Sequence, residues 1–109
     1  MKKPSAVAHD FFNRGLAFSE LGNRTQAIEF FTKSIEIVPE NADAYYFRGV
    51  AYNRNGEIEK ACSDFDKAIE LNLIHELAYF HRAHCRQTLG DAAQAQTDFD
   101  RARELGYRG

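Results

Sequence analysis

His81, His84 and Cys85 stand within one helical turn of each other, the nearest approach in the sequence to a metal-binding set. On a helix, residues three and four apart share a face. A closed zinc site needs four protein ligands, and a catalytic one needs three and a water. No acidic residue and no further His or Cys lies at ligand spacing, and only His9 of a second copy could approach the cluster. No metal is expected there. The histidines read as surface groups whose protonation below about pH 6.5 would tune partner binding. Nucleophilic chemistry is no better supplied. Ser5, Ser19, Ser34 and Ser63 have no organised base beside them, and no phosphate-loop, dinucleotide, nucleophile-elbow or HExxH pattern occurs. Neither catalysis nor a cofactor is expected.

A second charged set is more regular. Arg14, Arg48 and Arg82 recur every 34 residues, and Asp64/Asp66 and Asp98/Asp100 follow the same interval. The column could form ion pairs or stem packing along the helix surface, or a ladder of guanidinium groups for an anionic ligand. The companion aspartates would neutralise such a ladder, so the first reading is expected.

The elements that carry these residues obey the same interval. Gly15, Gly49 and Ala83 share a column, as do Gly22, Gly56 and Gly90, then Ala27, Ala61 and Ala95, then Phe31, Phe65 and Phe99. Self-similarity at a period of this length is the mark of a repeat architecture. The expected organisation is a leader, 1–7, and one domain, 8–109, built from blocks 8–41, 42–75 and 76–109. In the first block, Ala8, Phe11, Phe12, Gly15, Phe18 and Leu21 keep helical spacing, and Gly22-Asn23 breaks it. Ala27, Ile28, Phe31, Ser34 and Ile35 give a second helix, stopped before Pro39. The glycines suit left-handed helix ends. Asn23 and Asp91 suit N-caps, and Glu57 in the same column is weaker. The small residues of the first helices are expected opposite Ala27, Ala61 and Ala95, where close helix crossings exclude larger side chains, with Phe31, Phe65 and Phe99 filling the wider space beside each crossing.

With these columns the sequence resembles the tetratricopeptide repeat family, through Tyr45, Gly49, Tyr52, Gly56, Ala61, Phe65 and Ala68, with Pro39 closing the first block. The resemblance covers residues 8–109. It implies an all-α solenoid of three helix-turn-helix repeats, six antiparallel helices wound into a right-handed superhelix. It also implies a scaffold whose first helices line a concave groove for a peptide or a partner helix.

The third block departs from the pattern. Arg86 replaces the aromatics Phe18 and Tyr52, Gln96 replaces Ile28 and Cys62, Arg103 replaces Ile35 and Ile69, and Tyr107 stands in the column of Pro39. Polar residues in columns that face a following repeat solvate the end of a stack, so the array is expected to stop near residue 109. The family often adds a further solvating helix, absent from this sequence, which leaves a longer parent chain open.

On the resemblance, the groove stripe comprises Phe12, Asn13 and Leu16, then Tyr46, Phe47, Val50, Asn53 and Arg54, then Leu77, Phe80, His81 and His84, flanked by His9, Ser19, Glu20, Asp43, Gln87 and Thr88. Phe12, Leu16, Tyr46, Phe47, Val50, Leu77 and Phe80 would make a contiguous apolar strip of the kind that monomers rarely leave uncovered; some of these rings could instead pack sideways between neighbouring first helices. Some members of the family grip an acidic chaperone C-terminus with two Lys, two Asn and one Arg. The corresponding columns here hold Phe12, Leu16, Phe47, Leu77 and His81. No binding of that type is expected. The expected partner is a protein or peptide of apolar or aromatic character, with self-assembly through the groove or the ends as the alternative. Leu71, Leu73, Ile74 and Leu77 form a second apolar run, either a further contact or a cluster tucked under the turn between repeats.

Bulk properties agree. The 109 residues carry a net charge of −2 and no basic block, which argues against nucleic-acid or membrane-surface partners. Two cysteines are too few for a disulfide framework. No signal peptide or membrane span is visible. A cytoplasmic monomer is expected, with a homodimer as the alternative.

Overall fold

Each 34-residue block folds as two antiparallel helices because its two apolar stripes bury against each other, and a glycine supplies the turn between them. The computed structural model describes residues 1–109 and contains α1 (Pro4–Glu20), α2 (Arg24–Ile37), α3 (Ala42–Arg54), α4 (Ile58–Leu71), α5 (Glu76–Thr88) and α6 (Ala92–Glu104). The chain is an all-α helical-repeat solenoid, 49 Å long and 25 by 21 Å across. Pro4 is the first residue of α1, a position where its missing N–H costs nothing. That helix therefore begins inside the segment expected as a leader.

The turns within repeats are Schellman motifs. Gly22, Gly56 and Gly90 have φ of 77°, 80° and 89°, open to glycine without strain. The N–H groups of Asn23, Glu57 and Asp91 then reach back to the carbonyls of Phe18, Tyr52 and Arg86 at 2.9, 2.9 and 2.8 Å. As expected, Asn23 and Asp91 cap the following helices by accepting from Gln26 N and Gln94 N, and Glu57 makes no such bond.

The crossing geometry differs from expectation in one respect. Gly15 and Gly49 face the phenyl rings rather than the alanines. A Cβ on Gly15 would lie 2.6 Å from Phe31, and one on Gly49 would lie 2.8 Å from Phe65. Both rings are fully buried, each worth roughly 2–3 kcal/mol of transfer free energy. In the third repeat Ala83 carries that methyl, and Phe99 is only half-buried, packed against Phe80 and His84.

The arginine column forms ion pairs. Arg48 Nε and Nη2 donate to the two oxygens of Asp64 at 2.8 and 2.7 Å. Arg82 holds Asp98 in the same fork, both at 2.8 Å, and Arg86 adds a third donor to Asp98. Burial pushes the Asp64 carboxyl above its ordinary value, against the pull of Arg48. In the first repeat Phe30 occupies the aspartate column, and the Arg14 guanidinium lies over its ring instead, 5.9 Å from the centroid.

Helices α1 and α3 touch, as do α3 and α5, whereas α2, α4 and α6 make no contact with one another. The first helices are thus crowded on one side of the stack and the second helices are splayed on the other. The first helices form the inner, concave wall. No helix is long and apolar enough to cross a membrane.

Candidate functional site

Residues along α1, α3 and α5 form the floor of this concave face, their rings resting on Phe31, Phe65 and Phe99 of the second helices. A continuous line of rings runs along it. Phe12 lies 5.8 Å from Phe47, Phe47 5.0 Å from Tyr46, Tyr46 5.5 Å from His81, His81 5.5 Å from Phe80, and Phe80 4.1 Å from Tyr107, centroid to centroid. Most contacts are tilted or edge-on, the arrangement favoured by ring quadrupoles.

The rings are not equally available. Tyr46 and Val50, expected within an exposed strip, are buried at 7% and 8% exposure. Tyr46 is held by Phe47, Phe65, His75 and His81, and burial pushes its phenol up to about 12. The apolar strip is therefore interrupted at its centre by sideways packing between first helices. Phe12, Leu16, Phe47, Asn53, Phe80 and His81 are half-buried, and Asn13, Arg54, Leu77 and His84 are exposed. Accessible ligand contacts thus come from the two ends of the strip and from a polar stretch at Asn53 and Arg54. Arg54 is the one cation on the stripe.

The histidines and Cys85 do not converge. Cys85 is buried in the main core, where burial first, and then Cys62, push its thiol up to about 12. His81 lies against Tyr46 and Phe65, and His84 against Phe80 and Phe99. No group of three or more His, Cys, Asp or Glu is placed to hold a metal ion. Burial, reinforced by His84, Arg54 and His75, brings His81 down to about 4, so its ring is neutral at pH 7.

Column reading did not single out His75. It stands where Asn41 stands one repeat earlier and has the same task. Asn41 Oδ1 accepts from Asp43 N and Ala44 N to cap α3, and His75 Nδ1 accepts from Ala78 N at 3.3 Å to cap α5. With Nδ1 an acceptor, Nε2 carries the proton and donates to Asp43 Oδ1 at 3.1 Å. Asp43 is thereby tied to the wall. Leu73 and Ile74, which could have tucked under the turn between repeats, are instead exposed at 65% and 67%, beside Leu71 and Leu77.

With this geometry in view, the similarities are informative. A family model for the TPR repeat matches residues 15–56, and one for the tetratricopeptide repeat matches residues 42–75. The chain is similar to the second TPR of Spaghetti (RPAP3), solved bound to the HSP90 peptide SRMEEVD. Identity is 30% over 93% of this chain and 94% of that one, with a TM-score of 0.90. It is similar to the first TPR domain of human RPAP3, 28% identical over 94% and 80% of the two chains, with a TM-score of 0.88. It also resembles the TPR2B domain of yeast Sti1, solved as a complex with pHsp70, 25% identical over 92% and 80%, TM-score 0.88. No curated protein matches in sequence. Family models, helix arrangement and structural likeness agree, and the chain belongs to the tetratricopeptide repeat family.

Proposed function

We propose that the protein is a non-catalytic interaction scaffold that holds a partner peptide or helix against the aromatic floor of its concave face. The relatives solved with chaperone peptides support the scaffold role. The observation that carries the finer reading is the identity of five side chains. Positions that correspond to the family's carboxylate clamp hold Phe12, Leu16, Phe47, Leu77 and His81. A terminal carboxylate and acidic side chains must be met by cations and amide donors. Four of these five residues carry no polar hydrogen, and the fifth is an imidazole that is neutral at pH 7. An acidic tail laid over these five positions would be stripped of water there with no cation to meet it, a net loss. An apolar or aromatic segment would gain the transfer free energy of its buried face. Exposed Leu71, Leu73, Ile74 and Leu77 would lengthen the apolar contact at the edge of the wall.

A fluorescence titration with the peptide SRMEEVD tests this directly. The expected result is no saturable binding in the micromolar range. Micromolar affinity that is lost on blocking the peptide's C-terminal carboxylate would contradict the proposed groove chemistry.

A further inference from the structure

Two internal junctions join the three repeats, and both use the same pairs of columns. The first pair is a plug and a cleft. Phe47 on α3 sits 5.8 Å from Phe12 and 6.2 Å from Phe31 of the preceding repeat. One period later, His81 on α5 sits 5.5 Å from Tyr46 and 5.7 Å from Phe65. The corresponding rings of the third repeat are Phe80 and Phe99. With Gln96, Arg103 and Tyr107 they line an open cleft of roughly 500 Å³ on the outer side of α5 and α6. The plug column has one remaining member, Asn13, and it is exposed on α1.

Plug and cleft change character together. The columns beside the cleft hold Ile28 and Ile35 in the first repeat, Cys62 and Ile69 in the second, and Gln96 and Arg103 in the third. The plugs run Phe47, His81 and Asn13. A carboxamide, with two donors and an acceptor, suits a cleft walled by the Gln96 amide and the side chains of Arg103 and Arg108.

The second pair is a bridge. Arg48 Nη1 donates across the first junction to Thr32 at 3.2 Å, and Arg82 Nη1 donates across the second to Asp66 at 3.0 Å. The next members of these columns are Arg14 and Asp100. Arg14 is exposed, forms no ion pair and lies over the Phe30 ring, with the Asp10 carboxylate one turn earlier on α1 as a charged neighbour. Asp100 is half-exposed and bonded only to Gln96 and Arg103 of its own helix. The third pair is one of charge. Ala44 and Ala78, and Ile35 and Ile69, are buried inside the stack. Their counterparts on the outer faces are Asp10, engaged by Lys2, and Arg103. These two columns, apolar at the internal junctions, hold opposite charges at the outer faces, each paired within its own copy, Asp10 with Lys2 and Arg103 with Asp100.

We propose that the outer face of α1 docks on the outer face of α5 and α6 of a second copy of this chain. Asn13 enters the Phe80–Phe99–Tyr107 cleft and Arg14 bridges to Asp100. The two faces differ, so the contact is heterologous and propagates into an open series rather than a closed dimer. Exposed ion pairs are weak and screened by salt. Association is therefore concentration-dependent and salt-sensitive.

Sedimentation velocity of the 109-residue protein, from micromolar to millimolar concentration, tests the inference. The expected result is a mean mass that climbs past the dimer and falls on adding salt. Arg14→Glu and Asp100→Arg each place like charges at the bridge and are expected to weaken association roughly tenfold or more, with helical circular dichroism unchanged. An equimolar mixture of the two variants restores opposite charges at every contact and regains the wild-type behaviour. A wild-type mass that stays monomeric throughout would overturn the proposal. So would association indifferent to both substitutions, or a mixture that fails to recover.

Discussion

His81 shows how a residue chosen for its chemistry can serve as a packing group. Its ring fills the place that Phe47 fills one repeat earlier, and in the folded chain its pKa is about 4 rather than 6.5. The unfolded chain therefore takes up the proton first as pH falls. The stabilisation from a neutral His81 is fully present above pH 6.5 and drains away between pH 6.5 and 4. The loss amounts to about 2 kcal/mol once complete at the acid end, after allowance for partial exposure. The urea midpoint is thus expected to drop between pH 7 and pH 5. His81→Phe is expected to flatten that drop, and parallel curves for wild type and variant would assign the acid sensitivity elsewhere. The spacing of His81, His84 and Cys85 was visible in the sequence, and the column of Cys85, shared with Ala17 and Ala51, marked it as a packing position. Four residues along a helix fix a shared face without saying which flank of it meets the core, and Cys85 falls on the buried flank while His84 falls on the solvated one. The arginine column was more legible. Its aspartate companions lie at a fixed offset of 16 residues, and that offset is where the forks form.

Among the elements, the helix pairs and their turns could be read almost completely, because Gly22, Gly56 and Gly90 and the caps after them act locally. The crossings could be read only in part. The small columns announced a close approach, but its partner, the phenyl ring, depends on rotamers that spacing does not determine. Gly49→Ala tests the packing. Added helix propensity would contribute about 1 kcal/mol in its favour, but the new methyl overlaps the fully buried Phe65 ring. Forced displacement of a core ring costs roughly 1–3 kcal/mol, so a net loss near 1 kcal/mol is expected in chemical denaturation. A stabilised variant would show that the ring yields freely, as Phe99 does beside Ala83. Tyr46 and Val50 mark the limit of stripe reading. Helical periodicity places them on the inner wall, and only the neighbouring α5, through His75 and His81, turns that part of the wall into core. The exit of α6 was equally hidden. Gly106, with φ of 106°, closes this helix by a Schellman turn, where α2 and α4 leave in extended backbone at Val38 and Asn72. That turn brings Tyr107 onto Phe80.

For the whole molecule, curvature follows from which helices touch. Crowding of α1, α3 and α5 makes one wall concave, and the line of rings along it gives the wall its chemistry. A partner segment is proposed on the inner wall and copies of the chain at the outer faces, and the two surfaces meet at Asn13 and at Phe80 and Tyr107. The groove proposal is the central one, and selection from a random peptide library displayed on phage tests it most directly. Sequences with aromatic or aliphatic anchors are expected to be enriched, with no preference for acidic C-termini and with loss of that enrichment in Leu16→Glu/Leu77→Glu while the fold stays intact. Enrichment of acidic C-terminal tails, or a selection unchanged by the two substitutions, would contradict it.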